Sequence, residues 1–136
     1  MGLISVVAAA LYDHDGRVLI AERPPGKHMA GRWEFPGGKI AAGETEAAAL
    51  ARELHEELGV RVLTSHFLMR LAHRYDDRTV ELSMWIVDGY AGEPAPLDGQ
   101  RLKWVAPSGL ASEDILEADR PFVEALAQRA KTAPAR

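Results

Sequence analysis

The stretch from Thr45 to Gly59, TEAAALARELHEELG, constrains this chain more than any other. Its Ala, Leu, Glu and Arg content favours a helix, Thr45 is a suitable N-cap, and Gly59 is a suitable residue to end it. At about 100° per residue, and with Glu53 set to zero, Glu56 falls at about 300° and Glu57 at about 40°. Leu50, Leu54 and Leu58 occupy the neighbouring arc of roughly 60° to 140°, with Ala47 and Ala51 beside them. The helix therefore docks by an apolar stripe and carries an acidic stripe next to the contact. Like charges three and four residues apart cost a few tenths of a kcal/mol per pair, and Arg52 is the only basic residue between Lys39 and Arg61. Two readings of the acidic stripe stay open on this pattern alone. It is a solvated face, as most charge runs are, or it receives a hard divalent cation such as Mg²⁺, which takes oxygen ligands and keeps waters and substrate phosphates in its shell.

Around this helix the sequence alternates strands and turns. LISVVAAALY (3–12) reads as a strand buried on both faces, DHDG (13–16) as a turn, and RVLIAER (17–23) as a returning strand, together a hairpin. RPPGKHMAGRW is a loop, and the Gly37–Gly38 pair permits close backbone approach. VRVLTSHFLMRLAHRY and TVELSMWIVDGY predict a second hairpin, RLKWVAP a short strand, and PFVEALAQRA (121–130) a closing helix begun by proline. The pattern predicts an α+β domain with a mixed sheet and helices packed outside it. It spans residues 1–130, with 131–136 a disordered tail.

Composition narrows the function classes. A chain of 136 residues, 47% hydrophobic and 26% charged, is sized for one domain. With no cysteine, disulfides and thiol catalysis are excluded. The apolar start lacks a basic segment and meets Asp13 too early for a signal peptide or a membrane span, so a cytoplasmic location and no membrane partner are expected. A net charge of −4 argues against binding a nucleic-acid polymer. The five histidines show no paired spacing of a metal site.

The wider spacing separates the two readings of the acidic stripe. Gly38, five residues, Glu44, seven residues, then Arg52-Glu53-Leu54-x-Glu56-Glu57-x-Gly59-Val60 matches every fixed position of the Nudix box, and a chance match in one window has a probability of about one in a billion. The chain resembles the Nudix hydrolases. The flanking ERPPGKHMAGRWEFPGGKI, GEP, GQ and ADRP resemble the family's MutT branch. The resemblance implies an α/β/α sandwich on a mixed sheet, with the box as a loop–helix–loop.

It also implies a Mg²⁺-dependent (or Mn²⁺-dependent) nucleoside triphosphate pyrophosphohydrolase that converts oxidised purine nucleotides, notably 8-oxo-dGTP, to the monophosphate and pyrophosphate. The partner is then a small nucleoside triphosphate, and the protein a monomer or weak dimer. By the same resemblance, Glu53, Glu56 and Glu57 coordinate metal with the Gly37 carbonyl and the loop acid Asp98, while Gly38, Glu44, Arg52 and Gly59 support the box. Glu53 or Asp98 takes the proton of the attacking water. Lys39 and Arg23 meet the phosphates, His28 and Phe35 border the nucleotide, and Ile4, Val6, Arg78, Val80 and Leu82 line the base pocket. Asp119 reads the base, its structural alternative being to cap the closing helix.

Two positions depart from the branch. Asp98 stands where glutamate is frequent. Asp119 stands where the members most selective for oxidised guanine have asparagine, and an ionised carboxylate only accepts hydrogen bonds. An acceptor suits an exocyclic amine such as that of cytosine. A CTP or modified-pyrimidine pyrophosphohydrolase is therefore the alternative, and a non-catalytic nucleotide-binding Nudix module the third.

Overall fold

The helix anticipated from Thr45 to Gly59 forms as α1, Glu46–Leu58, in a computed structural model that describes residues 2–132. The Thr45 hydroxyl accepts from the Ala48 N–H at 3.1 Å, satisfying one of the first-turn donors that a helix cannot pair internally. Gly59 ends it with φ at 73° and its N–H donating to the His55 carbonyl, a conformation glycine adopts without the clash of a Cβ. Leu50, Leu54 and Leu58 are fully buried, each worth ~1.5–3 kcal/mol relative to exposure.

Seven strands accompany it: β1 (Gly2–Leu11), β2 (Val18–Glu22), β3 (Trp33–Glu34), β4 (Gly37–Lys39), β5 (Arg61–Arg74), β6 (Arg78–Ala91) and β7 (Leu102–Val105). One sheet has the order β4-β1-β6-β5. It is mixed as expected, because β1 runs parallel to β6 but antiparallel to β4, and β5 and β6 are antiparallel. The second hairpin occurs as read, closed by the Tyr75 N–H donating to the Arg78 carbonyl at 2.8 Å.

The first hairpin needs correction. Its turn forms, with the Asp13 N–H donating to the Arg17 carbonyl at 3.0 Å, yet pairing stops at a single bridge between Tyr12 and Val18. The two edges of β1 are taken by β6 over its whole length and by β4 across Val6–Ala8. Strand β2 therefore joins β3 and β7 in a separate antiparallel sheet.

Alternation along β1 sets the layers. Val7, Ala9 and Leu11 pack with Ala49, Leu50, Leu54 and Leu58 of α1. Ala8 and Ala10 face the opposite cluster, which contains Phe122, Val123 and Leu126 of the closing helix α2 (Arg120–Thr132). Only Val7–Leu11 are buried on both faces; Gly2 and Leu3 are exposed, because the strand begins beyond the cover of the helices. The result is the α/β/α arrangement. Helix α2 starts one residue earlier than anticipated and includes Lys131 and Thr132, which were assigned to the tail; residues 133–136 lie outside the described residues. Among the described residues no helix is long and apolar enough to cross a membrane.

Candidate active site

A cleft of about 840 Å³ opens where β1, β4, α1 and the tip of the β5–β6 hairpin meet. Glu53, Glu56, Glu57, Asp98 and Lys39 all line it. The Glu57 carboxylate accepts from the Gly37 N–H at 3.1 Å. Its pKa is nonetheless pushed up to about 8, first by burial, then by the negative charge of Glu53, with Glu34 and Asp98 adding to it. The glycine pair makes this approach possible. A Cβ at Gly37 would strike the backbone of Val7 and Ala8, and a Cβ at Gly38 would strike the Glu53 carboxylate.

Arg52 is shared among several of these acids. Its guanidinium donates to Glu44 at 2.6 Å and 2.9 Å, to Glu53 at 2.9 Å and to Glu56 at 3.2 Å, and also to the Lys39 carbonyl at 3.1 Å. Glu44 in turn accepts from the Ala41 N–H at 2.8 Å, and the Arg52 guanidinium above all holds its carboxyl down at about 2. Arg52 thus supplies part of the counter-charge and orients Glu53 and Glu56, while Glu57 and Asp98 receive none of it. Among the described residues no three acidic or imidazole groups converge into a ready-made metal cage. The donor set nevertheless fits magnesium. All its donors are oxygens, Glu57 is a desolvated carboxylate repelled by its neighbours, and Mg²⁺ commonly uses one or two carboxylates together with substrate phosphates.

The cleft is also lined by Val6, Ala8, Phe35, Val80 and Leu82. Asp119, only 5% exposed, lines it as well. Its carboxylate accepts from the Phe35 N–H at 3.4 Å, and the residue ends the short turn Glu117–Asp119 just before α2. Burial, with the charge of Glu34 second, raises the Asp119 pKa to about 7, against the Phe35 hydrogen bond and Arg23. The Phe35 ring meets Phe122 edge-on at 4.7 Å, which fixes the strand end that carries this N–H.

Of the residues singled out from sequence, the cleft collects Val6, Arg23, His28, Phe35, Gly37, Gly38, Lys39, the three box glutamates, Arg78, Leu82, Asp98 and Asp119. It does not collect Ile4, which pairs with Val80 further out on β1, towards its exposed start. Glu44, Arg52 and Gly59 are not among the residues that line it. Arg23 is less free than anticipated. Its Nη1 donates to Glu34 at 2.8 Å and its Nε to the His28 carbonyl at 2.6 Å. The Arg78 guanidinium rests over the Tyr75 ring at 5.5 Å, and its Nε is buried with no hydrogen-bond partner.

Sequence reasoning assigned no role to Glu34 or Gln100. Glu34 shows itself only through the cross-strand register Ala21↔Glu34, which places it beside Arg23. Burial raises its pKa even against that cation. Gln100 is a buried polar side chain at the cleft wall, and its signal is the GQ pair after Asp98.

A family model described as NUDIX domain matches residues 7–125. The 8-oxo-dGTP diphosphatase of Escherichia coli K12 is 32% identical over 126 residues, covering 93% of this chain and 98% of that protein. The CTP pyrophosphohydrolase of the same organism is 35% identical over 125 residues, covering 92% of each. The solution structure of the E. coli ORF135 protein superposes with a TM-score of 0.86 at 34% identity, covering 100% of this chain and 96% of that one.

Proposed function

Because the chain belongs to the MutT-like Nudix hydrolases, we propose that it is a divalent-metal-dependent nucleoside triphosphate pyrophosphohydrolase whose preferred substrate is an oxidised purine nucleotide such as 8-oxo-dGTP. Water attacks the β-phosphorus, the bond to the bridging oxygen of the α-phosphate breaks, and the products are the nucleoside monophosphate and pyrophosphate. Such an enzyme removes damaged precursors from the nucleotide pool.

The observation that carries the reading is one cleft lined both by the box glutamates with Asp98 and by Asp119, whose carboxylate accepts from the Phe35 N–H. Glu53, Glu56, Glu57 and Asp98, with the Gly37 carbonyl, would hold the ion. Bound there, it would offset phosphate charge and activate a water. Lys39, which no carboxylate engages among the described residues, meets the polyphosphate as a point charge. Arg23 contributes the guanidinium hydrogens that Glu34 and His28 leave free. Glu53 or Asp98 accepts the proton of the attacking water.

Asp119 answers the objection raised by its charge. With a pKa of about 7 it carries its proton in a large fraction of molecules at neutral pH. The acid form donates to a guanine O6 while its other oxygen accepts from the N7–H that oxidation creates. The anion form suits the exocyclic amine of cytosine, which supports the second reading, a CTP or modified-pyrimidine pyrophosphohydrolase. One comparison separates them: kcat/KM for 8-oxo-dGTP, dGTP, CTP and 5-methyl-dCTP with Mg²⁺, scored by pyrophosphate release. The first reading requires 8-oxo-dGTP to exceed all the others. It is lost if dGTP and its oxidised form are handled equally while CTP is preferred.

A further inference from the structure

The last carbonyls of a helix have no partner within it and must find one outside. In α1 they find it in the loop that carries Asp98. The Ala95 N–H donates to the Leu58 carbonyl at 3.0 Å, and the Leu97 N–H to the Glu57 carbonyl at 3.1 Å. Gln100 completes the attachment with both ends of its amide. Its Nε2 donates to the same Glu57 carbonyl at 3.3 Å, and its Oε1 accepts from the Asp98 N–H at 2.9 Å. The amide orientation is dictated by these partners, since a backbone N–H only donates and a carbonyl only accepts. Gln100 is 8% exposed, and both of its bonds are partly buried. One buried side chain therefore ties the backbone of the loop acid directly to the backbone of a box glutamate.

We propose that Gln100 is a positioning residue: it sets the Asp98 carboxylate against Glu57, so that the loop acid moves with the acidic helix and not with β6 and β7, the strands that the loop joins. The inference rests on the hydrolase reading above and adds to it a residue that acts only through Asp98. A purely apolar plug of the same length would fill the space and keep the backbone ties of Ala95 and Leu97, but would leave the Asp98 backbone without a tie of its own.

Gln100→Met keeps the length of the side chain and removes both hydrogen bonds. It lowers kcat at saturating nucleotide at least about tenfold, leaves KM within about twofold, and lowers the hydrogen-exchange protection of the Asp98 amide at least about tenfold in the metal-free protein. Gln100→Glu, which still accepts from the Asp98 N–H but cannot donate to Glu57, retains that protection while losing rate. In a chain already carrying Asp98→Ala, Gln100→Met changes kcat by less than about twofold, because the group it positions is gone. An unchanged kcat, unchanged Asp98 protection in Gln100→Met, or an equal loss in the Asp98→Ala background overturns the proposal and leaves the hydrolase reading standing. A wild-type protein inert towards every nucleoside triphosphate overturns both.

Discussion

Replacing Asp119 with asparagine should stabilise this protein, and by an amount that grows with pH. The carboxyl is 5% exposed and its pKa lies at about 7 in place of its ordinary 3.8. Below 3.8 the folded and unfolded chains both hold the proton, and the group does not affect their balance. Between 3.8 and about 7 the unfolded chain releases it while the folded chain keeps it, so each pH unit shifts the balance towards unfolding by ~1.4 kcal/mol. Above about 7 both are ionised and the loss saturates at ~4 kcal/mol. Asparagine has no proton to release, and its carbonyl can take the Phe35 N–H. Any fixed cost of seating the amide is the same at every pH and leaves the slope intact. The assay is urea unfolding of both proteins in metal-free buffer from pH 4.5 to 8. The advantage of Asp119→Asn should rise by ~3 kcal/mol across that range. A difference that stays flat, or a wild type that gains on the variant as the pH rises, refutes the placement of a buried, charge-repelled acid at this position.

Glu53→Gln and Glu57→Gln should each lower kcat about a hundredfold or more with thermal stability retained, measured by turnover with Mg²⁺ alongside a melting curve. The two glycines beside them should part company. Gly37→Ala drives a Cβ into the Val7 and Ala8 backbone and should cost ~1–3 kcal/mol or more in urea unfolding. Gly38→Ala meets only the end of the Glu53 side chain, so it should keep its stability and lose activity by displacing that carboxylate.

What was legible in the sequence was local. The cap at Thr45, the left-handed stop at Gly59 and the buried stripe of Leu50, Leu54 and Leu58 depend on neighbours within a few residues, and the structure reproduces all three. The box glutamates gather in the cleft because one helix carries them. Long-range register was not legible. Nothing near residue 17 says that both edges of β1 are occupied elsewhere, and the expected first hairpin opened into two sheets for that reason. How one arginine serves several acids was not legible either. Arg52 reaches Glu44, eight residues away along the chain, as well as two glutamates of its own helix, and counting residues along the chain does not show that reach. Gln100 and Glu34 went unassigned because a polar residue next to a loop or inside a short strand reads as surface until the fold buries it.

Uptake of a divalent ion by the acidic residues of the cleft underlies every step of the proposed hydrolysis. The direct measurement is calorimetric titration of Mg²⁺ and Mn²⁺ into the purified protein at pH 7.5, alone and with a non-hydrolysable nucleoside triphosphate, for the wild type and Glu57→Gln. The wild type should bind, more tightly with nucleotide present, and the variant should bind at least about tenfold more weakly. Absence of uptake by the wild type under both conditions, or equal affinity in the two proteins, contradicts the account.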